Sequence, residues 1–328
     1  MIEILDYRPD QKEVWNRVNA DAKNGHLLFD RGFMDYHADR FSDCSFMFLE
    51  DGKPLALLPG NVSGNTFFSH QGLTFGGFIC DQRVTSMRML AMWDLLMEEL
   101  RQQSVERIVY KSLPFIYHRS PCQEDLYALF RHGARLIRRD VTTTIDYRCA
   151  GTRSKRRDRG VKKAVKAGVA FAQSTAWADF WSVLVGTLQA RHGVKPTHSL
   201  EEIRLLAKCF PEQIRLYIAT RDGKVLAGVV TFETGAVAHA QYIAASPEGR
   251  DVAALDGLFD FLIERYSHTH GYFDFGISNE NGGWVLNEGL VTQKEEYGGS
   301  TVVHDVYEVV VTDVSSNGNP PPISGLQK

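Results

Sequence analysis

The residues in this sequence best suited to chemistry are histidines beside glycines and one dense run of cations. His70, in Ser69-His70-Gln71-Gly72, stands next to open backbone. An imidazole can give or take a proton near neutral pH, so it is a candidate base. His118, in Tyr117-His118-Arg119, is a second candidate for ligand contact. His239 lies in an alternating apolar stretch and reads as structural. His268 and His270 lack partners at metal-ligand spacing. The five cysteines, Cys44, Cys80, Cys122, Cys149 and Cys209, are too far apart for a Cys-x-x-Cys pair. No metal site is therefore expected. From Arg153 to Lys166, eight lysines and arginines face one carboxylate, Asp158. At helical spacing Lys155, Arg159, Lys162 and Lys166 share a stripe, and Val161, Ala164 and Val165 fall away from it. That density exceeds what solubility needs and suits a phosphate-bearing ligand. No Gly-x-Ser-x-Gly elbow and no Walker-type loop is present.

The elements that must hold these residues repeat one pattern. In the first half, a hairpin turns at Asp51-Gly52 between Ser45–Glu50 and Lys53–Pro59. The apolar stretch Leu73–Cys80 suits a buried strand. A helix over about Thr85–Arg101 carries Met89, Met92, Trp93, Leu96, Met97 and Leu100 at i, i+3, i+4 and i+7. Arg107–Lys111 is a short strand. The second half offers the same order. Its hairpin turns at Arg221-Asp222-Gly223, between Ile214–Thr220 and Lys224–Phe232. A strand follows over Ala236–Ala245, then a helix over about Val252–Ser267 and a strand over Tyr272–Phe275. Trp177, Phe180, Trp181, Leu184 and Leu188 mark a further amphipathic helix ahead of the second hairpin.

Composition sets the class. The 328 residues are 44% hydrophobic and 23% charged, with a formal net charge of −3. These values describe a globular chain, not a disordered one, and give no global basic field for DNA. The length suits two domains. The first ten residues lack the apolar core of a signal peptide, and no run of 18 apolar residues occurs, so no membrane span is expected. Scattered thiols suit a reducing compartment, and the expected location is cytoplasmic.

The basic segment Lys155-Arg-Arg-x-x-Gly-Val-Lys-Lys-Ala-x-Lys-x-Gly-Val169, then Gly271-Tyr-Phe-Asp-Phe-Gly276, then Gln293-Lys-Glu-Glu-Tyr-Gly-Gly299, occur in that order. Together they resemble the FemAB-like branch of the GNAT acyltransferases, which carry two GNAT domains in tandem. The resemblance implies an α/β fold with mixed sheets, divided as residues 1–149 on the acceptor side and 150–312 on the donor side, with a flexible tail over 313–328. It implies N-acylation of a small amine, an amino sugar or amino acid, of the kind used in cell-envelope polysaccharide biosynthesis. The donor would be acyl-CoA, a co-substrate and not a tightly bound cofactor. Two alternatives stand beside this: an aminoacyl-tRNA-dependent transferase of the FemAB type, with tRNA as partner, and a non-enzymatic protein with a degenerate donor loop. By the same resemblance, Ser246, Gly249, Arg250, Asp251 and Val252 occupy the pyrophosphate loop, where backbone amides meet phosphate. Its usual glycines are depleted here. Lys294 matches a lysine implied to stabilise charge on the reacting carbonyl or an acceptor phosphate. Glu288, or Glu295, flanks it as a candidate general base, with His70 next in line. Lys155, Arg159, Lys162 and His118 are the acceptor and phosphate contacts.

Overall fold

The computed structural model describes residues 1–311, the side chains of His37, Arg191 and His192 excepted; the tail expected over 313–328 lies outside the described residues. The chain forms two compact units. Unit 1 comprises Met1–Arg139 and the segment from His304, and unit 2 comprises Asp140–Val303. The division differs from the expected one because two long strands each pass from one unit to the other.

Unit 1 runs β1 (Ile2–Asp6), α1 (Lys12–Asp21), α2 (Arg31–Met34), β2 (Ser42–Asp43), β3 (Phe46–Glu50), β4 (Lys53–Leu58), β5 (Asn61–Ser63), β6 (Thr66–Phe68), β7 (Ile79–Cys80), α3 (Ser86–Gln102), β8 (Arg107–Lys111) and α4 (Glu124–Arg131). β9 (Arg135–Asp146) leads out of it. Unit 2 follows with α5 (Lys155–Lys166), β10 (Ala170–Ser174), α6 (Trp177–His192), α7 (Leu200–Cys209), β11 (Ile214–Arg221), β12 (Lys224–Glu233), β13 (Val237–Ala245), α8 (Pro247–Asp251), α9 (Ala254–Ser267), β14 (Tyr272–Ile277), β15 (Asn279–Glu280), β16 (Val285–Leu286) and α10 (Glu288–Glu295). β17 (Ser300–Val310) then returns to unit 1.

In unit 1, strands β1, β3, β4 and β7 pair in that order, and β8 lies between β17 and β6, which continues through β5 to β2. The β3–β4 hairpin turns at Asp51 and Gly52, both left-handed (φ 51° and 74°), as a tight two-residue turn requires. Helix α3 starts at a Thr85 cap and buries Met89, Met92, Trp93, Leu96 and Leu100 against Phe46, Phe48, Phe78 and Tyr110. The expected strand over Leu73–Cys80 is confined to Ile79–Cys80. β6 pairs parallel with β8 over three residues, Thr66–Phe68. Beyond it the chain wraps irregularly along β8. Ser69 N donates to Val109 O, Gly76 N to Lys111 O, and Phe78 N to the Tyr110 hydroxyl. Phe75 and Phe78 are buried by this path. Gly77 takes φ 89° and presses its Cα on Tyr110, a place where no side chain fits.

Unit 2 orders its strands β10-β11-β12-β13-β14-β9. All neighbours are antiparallel except β13 and β14. Helices α5 and α9 cover one face, with Ala164, Leu258, Phe259 and Leu262 against Tyr217, Ala227, Val229 and Phe273. α6 lies on the other face. Phe180 packs on Gly228, and the Trp181 ring meets Tyr242 at 5.2 Å. The helix expected over about Val252–Ser267 is present as α9, which begins two residues later and follows a separate short helix. α8 ends at Asp251, and Ala253 adopts φ 57° before α9 begins at Ala254. No helix among the described residues is long and apolar enough to cross a membrane.

Candidate active site

β13 and β14 pair at only three positions, Val237 with Tyr272, Ala238 with Phe273 and His239 with Asp274. Beyond His239 the strands part, and residues 240–245 pair with β12 alone. Gln241 is an extra residue in β13, where the register with β12 slips between Val230 and Thr231. Bulges of this kind re-aim side chains.

A buried carboxylate sits at the point of separation. Asp274 is fully buried and accepts four hydrogen bonds. His239 Nδ1 meets Oδ2 at 2.6 Å, while Oδ1 takes the Thr142 hydroxyl, the Thr144 hydroxyl (3.0 Å) and the Gly276 amide (3.2 Å). Donors so placed satisfy both oxygens of a carboxylate that burial has removed from water. The carboxylate also fixes the tautomer of its neighbour: with the proton on Nδ1, the partly exposed His239 ring presents a bare Nε2. An imidazole oriented by a carboxylate in this way can serve as a base.

Lys294, in the last turn of α10, belongs to the same cluster. It is 6% exposed, not a surface lysine. Its Nζ donates to Gly276 O (2.7 Å), Ile277 O (2.8 Å) and Ser278 Oγ (3.0 Å). All three protons of the ammonium are therefore used on the turn that follows Asp274. Burial lowers its pKa to about 8, partly offset by the nearby Asp274 charge. Glu288 does not join it. Glu288 opens α10 on the exposed side, six residues and about 9 Å of helix from Lys294. Glu295 is exposed as well.

The expected donor loop is built differently from its reading. Ser246 caps α8, and its Oγ accepts the Gly249 amide at 3.0 Å. The Arg250 amide goes to Ser246 O and the Val252 amide to Glu248 O. The amides of Gly249, Arg250 and Val252 are thus consumed and cannot face a phosphate as expected. Gly249 is buried against Leu226 O, where any Cβ would collide. Arg250 Nη1 donates to Ala245 O at 2.8 Å, Asp251 closes α8 on the exposed surface, and Glu248 is tied to Arg221 and Lys224. α9 has no side-chain cap after the left-handed Ala253, so its first amides are the ones left for a ligand or water. Ser246, Pro247 and Arg250 also line a cavity of about 280 Å³ against Ser182, Gly186 and Thr187 of α6.

The basic helix is exposed along Lys155, Arg159, Lys162 and Lys166. Two of its residues depart from the expected pattern. Val165 is 63% exposed, on the outer face. Arg157 is buried: its guanidinium bridges Asp256 and Glu296, the latter at 2.8 Å, and lies 5.4 Å over the Tyr297 ring. Inward packing thus rests on Arg157, on Gly160 against Asp256, and on Ala164.

His70 and His118 are unit 1 residues. His70 is buried at φ 72°, its ring 5.3 Å from Phe41, and its carbonyl accepts from Lys111. His118 Nε2 meets Leu113 O at 3.2 Å, and burial lowers its pKa. Among the described residues no three His, Cys, Asp or Glu side chains gather as metal ligands do. The sequence reads His239 as structural and does not single out Asp274. The available signal was a lone polar residue in each of two apolar strands, Val-Ala-His-Ala and Tyr-Phe-Asp-Phe.

Residues 151–282, which hold this dyad, match the family model described as "Acetyltransferase (GNAT) domain". Over those residues the chain is similar to GNAT-type acetyltransferase domains. No curated protein matches the sequence. Solved structures match almost the whole length. The crystal structure of FemX superposes with a TM-score of 0.68 at 13% identity, covering 94% of this chain and 97% of that one. The C-terminal domain of a putative lysylphosphatidylglycerol synthetase from Agrobacterium fabrum gives 0.60 at 12%, covering 94% and 93%. A tandem GNAT protein from the clavulanic acid biosynthesis pathway gives 0.52 at 11%, covering 95% and 99%. The fold is thus similar to that of FemX and of a tandem GNAT protein, and the GNAT match falls in unit 2.

Proposed function

We propose that unit 2 transfers an acyl group from acyl-CoA to the primary amine of a small acceptor. The observation that carries this is the His239–Asp274 pair at the point where β13 and β14 part. An amine attacks only when neutral, and an alkylammonium in water has a pKa of about 10. His239 Nε2 takes the proton as the amine nitrogen bonds to the thioester carbonyl carbon. The carbon–sulfur bond then breaks, and the proton passes to the departing thiolate or to solvent. Asp274 steadies the imidazolium that forms. Lys294 positions the 276–278 turn beside the dyad. Donor phosphates are placed at the first amides of α9, in place of the Gly249–Val252 amides.

Unit 1 supports assigning the donor to unit 2. Its own parallel pair, β6 and β8, also parts after three residues, but the segment 69–78 fills the gap with Phe75 and Phe78. The acceptor, whether amino sugar or amino acid, is assigned by assay. Thiol release from acetyl-CoA is followed across a panel of amines with wild type and His239→Ala. Loss of the base should lower kcat by about 10²–10⁴-fold. Added imidazole should restore part of the rate, with CoA affinity unchanged. A variant rate within a few-fold of wild type would show that another group, or water, takes the proton.

A further inference from the structure

The segment after the dyad strand is built to hold apolar side chains in water. Asn281, Gly282 and Gly283 are all left-handed (φ 49°, 63° and 94°) and close the β15–β16 hairpin tightly. Trp284 follows and is 87% exposed. Ile277, Val285, Leu286 and Leu290 are exposed around it in sequence. The frame beneath is polar and fully tied. Asn279 Nδ2 donates to Gly283 O (3.1 Å), the Asn287 amide to Ser278 O (2.9 Å), Asn287 Nδ2 to Glu280 (2.8 Å), and Lys294 to residues 276–278. An isolated exposed leucine needs no explanation, but three apolar residues on a braced hairpin, with Ile277 and Leu290 exposed just before and after it, do.

The cationic helix hangs from the other end of the same short helix. α10 runs about 12 Å from the hairpin to Glu296, which pairs with Arg157 and lies 3.6 Å from Arg156 in the first turn of α5. α5 exposes Lys155, Arg156, Arg159, Lys162, Lys163 and Lys166, with Val165 among them.

We infer that the Trp284 hairpin and α5 together dock unit 2 on an anionic phospholipid surface. Indole rings favour the boundary between headgroups and acyl chains. Each cation near an anionic leaflet strengthens binding about fivefold. Stable peripheral binding generally needs two such signals, and this unit presents one of each kind. RNA phosphates would engage the cations but leave the braced apolar hairpin without a role. The inference rests on exposure and charge, independently of the catalytic reading, and binding is measured without turnover.

The test is co-sedimentation of the full chain with vesicles of phosphatidylcholine alone or mixed with phosphatidylglycerol. Binding is expected only to the mixed vesicles, and it should weaken as salt rises from about 0.1 M, where the Debye length is about 10 Å. Trp284→Ala and the triple reversal Lys155→Glu, Arg159→Glu, Lys162→Glu should each lower partitioning by at least about tenfold. All four residues are exposed, so circular dichroism should be unchanged. Brominated lipid should quench wild-type tryptophan emission and fail to quench Trp284→Phe, a readout that needs no destabilising change. Absence of vesicle binding, equal binding by wild type and both variants, or binding to tRNA but not to vesicles would each overturn the inference.

Discussion

A lysine whose three donors all end on one turn is poised to switch that turn with pH. Lys294 keeps its charge below about 8 and loses it above. A neutral amine has only two protons for Gly276 O, Ile277 O and Ser278 Oγ, so the turn beside Asp274 loosens. The wild-type rate should therefore fall on the alkaline side as pH passes about 8. Lys294→Met should run slower throughout and lack that limb, because it has no proton to lose. A purely structural lysine would lower stability and leave the shape of the pH–rate profile unchanged, so the profile separates the two. The folded pKa lies below the ordinary lysine value of 10.5, so the folded state holds fewer protons than the unfolded chain between about 8 and 10.5. This group's contribution to stability accordingly rises with pH across that window. Lys294 could be singled out in the sequence, but its burial could not. Its acceptors lie 16–18 residues away in a turn with no distinctive composition. His239 and Asp274 are 35 residues apart and meet only because two parallel strands take one register.

Among the elements, hairpins and amphipathic helices were legible in the sequence, while breaks and diversions were not. Asp-Gly turns at 51–52 and 222–223 announce themselves because few other residues accept φ near 50° and 75° in succession. The apolar spacing of α3 is equally plain. By contrast, Leu73–Cys80 is apolar because it fills a gap between strands, and composition alone does not separate that from pairing. The break before α9 is hidden because its left-handed residue is an alanine. Left-handed backbone costs an L-residue about 1–2 kcal/mol, partly offset on substitution by the greater unfolded-state freedom of glycine. Ala253→Gly should thus stabilise the protein by up to about 1 kcal/mol, read as a higher midpoint in urea. If the midpoint falls, the strain assigned to Ala253 is absent. The substitution leaves α9's first amides in place, so donor affinity should be kept.

Across the molecule, each unit contains a parallel strand pair that parts after three residues, and the chain treats the two gaps differently. In unit 1 residues 69–78 fill the gap, held by Lys111 Nζ on the carbonyls of His70, Gln71 and Leu73. In unit 2 the corresponding strand pair, β13 and β14, carries the His239–Asp274 dyad, one residue on each strand. Calorimetric titration with CoA should give one site per chain. Two equivalent sites would mean that segment 69–78 yields to ligand. The tandem architecture was readable from repeated element order, but the inequality of the two copies was not, because it depends on where one irregular segment lies. The returning strand β17 sets an order in time. Its residues Val306–Val310 pair with β8, so unit 1 lacks a neighbour for that strand until nearly the whole described chain has left the ribosome. Unit 2, contained within Asp140–Val303, has all its residues first. Although encoded second, it has all its residues before the half encoded first is complete.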